Sequence, residues 1–236
     1  MALIAHWKLD DNAADTDVLD SSGNGLDGAL AGGDNTSVKS VRGRVGRAFL
    51  LNGTDDYIEV ADDPLLNFGA ASDFTVMVWV KFTATDRLDI IGKDREEDNH
   101  WELYIRAADQ TVTVYMDDNA NPADSEAGTA VINDGQWHHV ACSFDRDGDA
   151  VIYVDGIVDN TVDISNVGDI DNTGAQFIGS AYAGGDWYNG TLDDVRIYDE
   201  VLSAGAIKKI IASGGYRARY MAGVVGNIIQ WFRTRY

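Results

Sequence analysis

The stretch FTVMVWVKF, Phe74 to Phe82, decides the fold. Successive side chains of a strand point to opposite sides, so Phe74, Val76, Val78, Val80 and Phe82 share one face. The other face carries Met77 and Trp79, which leaves neither face fully wet. This is the pattern of a central strand covered on both sides.

Outward from it, alternating runs rich in β-branched and aromatic residues recur with turn residues between them. Strands are predicted for Ile4 to Leu9, Ala48 to Leu51, Tyr57 to Val60, Leu88 to Gly92, Trp101 to Arg106 and Thr111 to Met116. Further ones follow at Trp137 to Phe144, Ala150 to Val154, Gln176 to Ile178 and Gly190 to Tyr198. In the fifth of these strands Trp101, Leu103 and Ile105 alternate with Glu102, Tyr104 and Arg106, a polar face with one aromatic that suits the lining of a shallow groove. Asp134-Gly135 and Asp155-Gly156 predict hairpin turns, since glycine supplies the positive φ such turns require. DRDGDA, Asp145 to Ala150, reads as another hairpin, because its glycine and its lack of a distal glutamate fail the EF-hand pattern. One short helix is predicted over Ser203 to Ile211, with Ser203 as N-cap. The fold class is therefore all-β, a two-sheet antiparallel sandwich.

The 236 residues suit one such sandwich. Aspartate and glutamate total 39 against 18 lysines and arginines, a net charge of -21 that repels nucleic acid and anionic membrane faces. Only Glu59, Glu96, Glu97, Glu102, Glu126 and Glu200 are glutamates; so aspartate-heavy a surface suits high salt, as in a halophile, or calcium. Cys142 is the single cysteine, so no disulfide framework exists and it reads as a small buried hydrophobe. MALIAHWKLD shows no signal peptide, and no run approaches the roughly 20 apolar residues a spanning helix needs.

After Gly214-Gly215 the composition changes. Residues 216–236 hold Arg217, Arg219, Arg233 and Arg235 and no acid, with Met221, Val224, Val225, Ile228, Ile229 and Phe232 at helical spacing. The division is a domain over 1–213 and a basic amphipathic helical tail over 214–236. The tail packs on its own sandwich or docks on a sister subunit, a particle or an envelope surface.

Four groups of motifs occur together: HWKLDD (His6 to Asp11) with DSSGNGLDG (Asp20 to Gly28); AFLLNGTDDYIEV (Ala48 to Val60); DGQWHHVACSFD (Asp134 to Asp145) with IYVDG (Ile152 to Gly156); and FIGS (Phe177 to Ser180) with NGTLDDVRIYDEVLSAGAI (Asn189 to Ile207). In this order they resemble the laminin G-like, concanavalin A-like jelly-roll family over residues 1 to about 212. The resemblance implies a jelly roll with one concave sheet and rim loops that often carry calcium and bind sugars or proteins. It also implies an extracellular or surface-exposed setting, to which the missing signal peptide and the basic tail add a virion surface as an alternative.

By resemblance, Asp20 and Asn24 of the first long loop meet Asp193 or Asp194 of the last strand and hold structural Ca2+, which takes six to eight oxygens. The plainer alternative is an Asx turn in DSSGN and a buried aspartate taking backbone N–H bonds. Similarity to pentraxins points to Asp98-Asn99 as a second calcium pair, whose partner loop offers only Asp186. For a glycan or glycoprotein ligand, aromatic rings lie against the sugar face while polar groups take its hydroxyls. Trp187, Tyr188 and Tyr182 of AYAGGDWYNG are the first candidates, Tyr104 and Tyr115 the second. Trp137-His138-His139 is read as core, since neighbouring strand residues face apart and cannot share an ion.

No catalytic residues are assigned. A glycosidase needs two flanking carboxylates, and the Glu-x-Asp-x-x-Glu signature is missing. Glu102 has Arg106, not an acid, on its face. The expectation is a binding or adhesion module and not an enzyme, with a structural or receptor-binding subunit of a virion or cell-surface assembly as the alternative.

Overall fold

The structure, a computed structural model, describes residues 2–96, 99–120 and 123–214. Asp98 and the segment 215–236 predicted as a helical tail lie outside the described residues. Among the described residues sixteen strands, labelled in chain order, form two antiparallel sheets. The first runs β14 (Ile157–Asp163), β13 (Asp149–Val154), β12 (His138–Phe144), β7 (Phe74–Lys81), β16 (Asn189–Tyr198), β5 (Arg47–Asn52) and β4 (Ser40–Arg42), with β1 (Leu3–Trp7) also on β16. The second runs β11 (Ala123–Val131), β10 (Thr111–Asp117), β9 (His100–Ile105), β8 (Leu88–Lys93), β15 (Gln176–Ile178), β6 (Ile58–Val60), β3 (Gly28–Leu30) and β2 (Asp17–Val18). Neighbours far apart in sequence, such as β7 between β12 and β16, make this a jelly roll and not a meander.

β7 sits where its hydrophobicity requires, in the middle of the first sheet, with every residue but Lys81 buried. Phe74, Val76, Val78 and Val80 enter the core between the sheets. Met77 joins a separate cluster with Ala141, Tyr153, Tyr198, Leu202 and Ile207, which a helix over 204–214 covers from outside. Trp79 on that outer side meets the His139 ring edge-on at 5.1 Å and lies under Arg44, whose guanidinium is 4.7 Å from the indole centroid. In the main core Phe74 stacks between Phe68 and Phe144, at 4.0 and 4.1 Å, and Trp101 tilts against it at 5.3 Å. Contacts of this density give core rings their large share of stability.

Ser203 caps the covering helix, its Oγ accepting the Ala206 N–H at 3.3 Å. The helix runs over residues 204–214. Asp155-Gly156 joins β13 to β14 as expected, with φ of 53° and 74°. Asp145 N–H bonds Asp149 O at 3.1 Å in the predicted β12–β13 hairpin. Asp134-Gly135 is a correction: β11 and β12 lie in different sheets, and the Gly135 N–H bonds Phe82 O as the chain crosses between them. β2, β3, β4, β11 and β14 were not predicted. Four of them, β2, β4, β11 and β14, are sheet edges, where few side chains need to be apolar, and three-residue β3 lies between β6 and edge strand β2. Asp159 of edge strand β14 accepts from Thr129 N–H and Oγ1 and from Ala130 N–H of edge strand β11, closing one flank of the sandwich.

Candidate functional site

β9 turns Trp101, Leu103 and Ile105 into the core, which leaves His100, Glu102 and Tyr104 on the outer side of the second sheet. β8 lies beside it with Asp89 opposite Tyr104 and Gly92 opposite Glu102. β15, on the far side of β8, sends the segment 179–188 back across that strand. Gly179 N–H bonds Ile90 O at 2.8 Å, Asp89 N–H bonds Asp186 O at 3.0 Å, and Arg95 N–H bonds Ala181 O at 3.1 Å. Inside the loop the Ser180 hydroxyl donates to the carbonyls of Tyr182 and Gly185. Asp186 holds a φ of 53°, a left-handed conformation that aspartate tolerates better than most side chains.

These pairings assemble Arg87, Asp89, Arg95, Glu102, Tyr104, Tyr182 and Asp186 in one patch. Arg87 Nε donates to Asp89 Oδ1 at 2.8 Å and its Nη2 to Glu102 Oε2. Arg95 Nη2 donates to Asp186 Oδ2 at 2.6 Å, and its Nη1 stands 3.6 Å from both Asp89 and Glu102. Each guanidinium lies over a tyrosine, Arg87 at 3.7 Å from the Tyr104 centroid and Arg95 at 4.1 Å from that of Tyr182. Such cation–π stacks fix both planes. Asp89 and Glu102 form a buried floor, while the side chains of Arg87, Arg95 and Asp186 are 28, 22 and 38% exposed. Burial pushes the Asp89 carboxyl up to about 7 with Glu102 adding to it, although Arg87 and Arg95 pull the other way. Burial disfavours the charged form of each arginine, yet the surrounding carboxylates outweigh it and raise both. Beside the patch Tyr115 donates to Asp117 at 3.1 Å; burial and that carboxylate hold its phenol up at about 12.

The aromatic candidates separate. Tyr182 and Tyr104 belong to the patch. Trp187 is half-buried, with its indole nitrogen enclosed and unpartnered. Tyr188 is corrected to a core residue, its fully buried ring edge-on to Phe82 at 6.0 Å, so it offers no ligand surface. Arg87, Asp89 and Arg95 were missed by sequence reasoning.

The early turn and the last strand do come together, with β1 between them. Trp7 bridges Asp20, and His6 Nε2 meets Asp194 at 2.7 Å. A bulge at Asp193–Arg196, with Asp194 at φ 55°, transfers β16 from pairing with β5 to pairing with β1. The carboxylate oxygens of Asp20 and Asp194, however, are consumed by the protein. Asp20 accepts from His6 N–H, Leu26 N–H and both the N–H and hydroxyl of Ser22, and Asn24 donates its amide to the carbonyls of Leu3 and Ile4. Asp194 is clasped by His6 and Arg196. Asp193 accepts from Val45 N–H, while its Oδ1 is buried without a partner; burial, with Asp194 and Asp10 nearby, pushes its carboxyl up to about 8. A cavity of about 650 Å³ beside them is lined by His6, Lys8 and Arg196 facing Asp10 and Asp194, so the cations are the chain's own. These residues do not fit the oxygen shell that calcium requires. Asn99 donates to Asp171 O at 3.4 Å and Asp186 is paired with Arg95, while Asp98, the other member of the second expected pair, lies outside the described residues. No group of three or more His, Cys, Asp or Glu that could hold a metal occurs among the described residues.

The core reading of Trp137-His138-His139 is corrected, since only His139 is buried and Trp137 and His138 are half-buried. His138 faces Asp155 and Asp134 at the surface, while His139 is buried and its imidazole is lowered to about 4 by that burial.

The architecture is that of a two-sheet jelly roll. The chain belongs to the concanavalin A-like lectin/glucanases superfamily, whose Laminin_G_3 model matches residues 52–208. No curated protein matches it in sequence. Among solved structures it is similar to domain 4 of AbnA, an extracellular arabinanase from Geobacillus stearothermophilus, in complex with arabinotriose: TM-score 0.69, 22% identity, 89% of this chain and 98% of that one. It is also similar to the binding domain of Paraclostridial Mosquitocidal Protein 1, at TM-score 0.70 and 19% identity over 87% of this chain. The botulinum neurotoxin serotype D ligand binding domain in complex with N-acetylneuraminic acid matches at TM-score 0.66 and 15% identity over 90% of this chain. The chain spans about half the length of these two toxin domains, covering 53 and 51%. At these identities the likeness establishes the fold. Among the described residues no helix is long and apolar enough to cross a membrane.

Proposed function

We propose that this domain is a non-catalytic carbohydrate-binding module acting outside the cell or at a surface, with its ligand on the outer face of β8, β9 and β10 beside segment 179–188. The observation that carries the reading is the pair of tyrosine–arginine stacks floored by Asp89 and Glu102. A sugar presents apolar C–H patches between hydroxyls. Aromatic edges serve the first, and fixed guanidinium donors alternating with carboxylate acceptors serve the second. Because the ion pairs already hold these groups in place, little side-chain ordering remains for binding to impose. The arabinotriose and N-acetylneuraminic acid complexes of similar folds support carbohydrate as the ligand class. Asp89 and Glu102 are bridged by one guanidinium, which argues against their serving as independent acid and base.

Glycan-array screening followed by calorimetry on the best hit tests this. Tyr182→Ala removes a partly exposed ring, and Tyr104→Ala, whose ring is buried beneath Arg87, releases that guanidinium from its fixed plane; each is expected to weaken binding at least tenfold, about 1.4 kcal/mol, with the circular dichroism spectrum unchanged. An array without hits, or two folded variants that bind like the parent chain, overturns it.

A further inference from the structure

Resting on the carbohydrate reading, we infer that the ligand is a neutral glycan and that glycans carrying carboxylate or sulfate are excluded from this site. The inference comes from which charges in the patch are already committed. A sugar acid is normally held by a guanidinium fork free to meet it with two parallel bonds. Here Arg87 spends Nε on Asp89 and Nη2 on Glu102, and Arg95 spends Nη2 on Asp186. The arginine at the end of β9, Arg106, is committed to Asp109 through Nε and Nη2.

To be gripped by such a fork an incoming carboxylate would have to displace one of these partners, and at Arg87 that leaves Asp89 or Glu102 buried beside it. Both have almost no solvent of their own, and a buried carboxylate stripped of its counter-charge is strongly disfavoured. The groups facing the patch are Arg87, Arg95 and His100 against Asp89, Glu102 and Asp186, with Tyr104, Tyr115 and Tyr182 between them. Three carboxyls therefore face two permanent cations and one imidazole. The surrounding chain, at -21, adds repulsion at longer range. A hydroxyl pair meets no such obstacle: it donates to an exposed carboxylate oxygen and accepts from the remaining guanidinium N–H groups while the ion pairs stay intact. The acid-binding and neutral-sugar-binding relatives share the fold, but this patch is built for the second chemistry.

The experiment measures the full chain against matched pairs at 50 mM salt: lactose and sialyllactose, galactan and polygalacturonate fragments, and a neutral glycoprotein glycan with its sialylated form. The free and protein-linked arms separate polysaccharide from glycoprotein as the source. The expected result is that every neutral member that binds does so at least tenfold more tightly than its acidic counterpart, and that 0.5 M NaCl narrows the ratio by screening the repulsion. Asp186→Asn, which releases Arg95 Nη2, narrows it at low salt as well. Equal or tighter binding of an acidic member at low salt overturns this inference and leaves the carbohydrate reading standing. Binding of neither class overturns both.

Discussion

Replacing Asp193 with asparagine isolates the least comfortable charge in the first sheet. Asp193 has no solvent exposure; one oxygen accepts the Val45 N–H and the other has no partner. Burial first, and the neighbouring Asp194 and Asp10 next, raise its carboxyl to about 8, whereas an aspartate in an unfolded chain titrates near 3.9. Between these values the folded protein holds a proton that unfolding releases. Stability therefore falls as pH rises through this window, by up to about 1.36 kcal/mol per pH unit. Asparagine preserves the acceptor for Val45 and cannot ionise. The variant should gain on the parent chain by roughly 3–4 kcal/mol between pH 5 and pH 8, or roughly 6–16 °C in Tm for a chain of this size. Thermal and urea unfolding at pH 5, 6, 7 and 8 measure the difference. Distant titrations cancel because they occur in both proteins. A gap that stays constant across the series would show that Asp193 is ionised in the folded protein, and the argument from burial would fail.

Phe74→Ala removes the middle ring of the Phe68–Phe74–Phe144 stack and should cost about 3–5 kcal/mol in urea unfolding; a loss under 1 kcal/mol would mean that the three rings do not pack as one unit. Burial alone would lower the His138 imidazole, but its bonds to Asp155 and Asp134 outweigh that and raise it. Its stabilising effect is thus full below the ordinary histidine value and disappears as pH rises through the folded one. His138→Gln should lower Tm at pH 5.5 and leave it unchanged at pH 8.5, and equal losses at both refute the pairing. Calcium at 100 times its Kd would stabilise a bound fold by about 2.7 kcal/mol. Because the Asp20 and Asp194 carboxylates are spent on protein donors, exchanging millimolar calcium for EDTA should move Tm by far less than the several degrees that figure implies.

The central strand was legible because its two hydrophobic faces answer two local facts, a core between sheets and a helix outside, and both leave apolar side chains in the sequence. Edge strands such as β14, with Asn160 and Thr161 half or fully exposed, carry no such requirement and so gave no signal. The polar face of β9 was legible for the same reason as β7: strict alternation placed Glu102 and Tyr104 together.

Asp89 was hidden by a break in that alternation. The register between β8 and β9 shifts between Asp89 and Ile91, and the bulge turns both Ile90 and Ile91 into the core. Counting back from Ile91 by twos would put Asp89 in the apolar interior, whereas the shifted strand brings it out opposite Tyr104. Arg87 and Arg95 flank β8 and acquire meaning only once Asp89, Glu102 and the returning 179–188 loop converge between them. The ring that local sequence made most prominent beside Trp187, that of Tyr188, went into the core because Tyr188 N–H bonds Gly179 O at 2.9 Å and turns the chain inward there. Residues on one strand announce their shared face through period two. Residues contributed by three segments depend on register, and a single bulge is enough to separate the pattern from the site it builds.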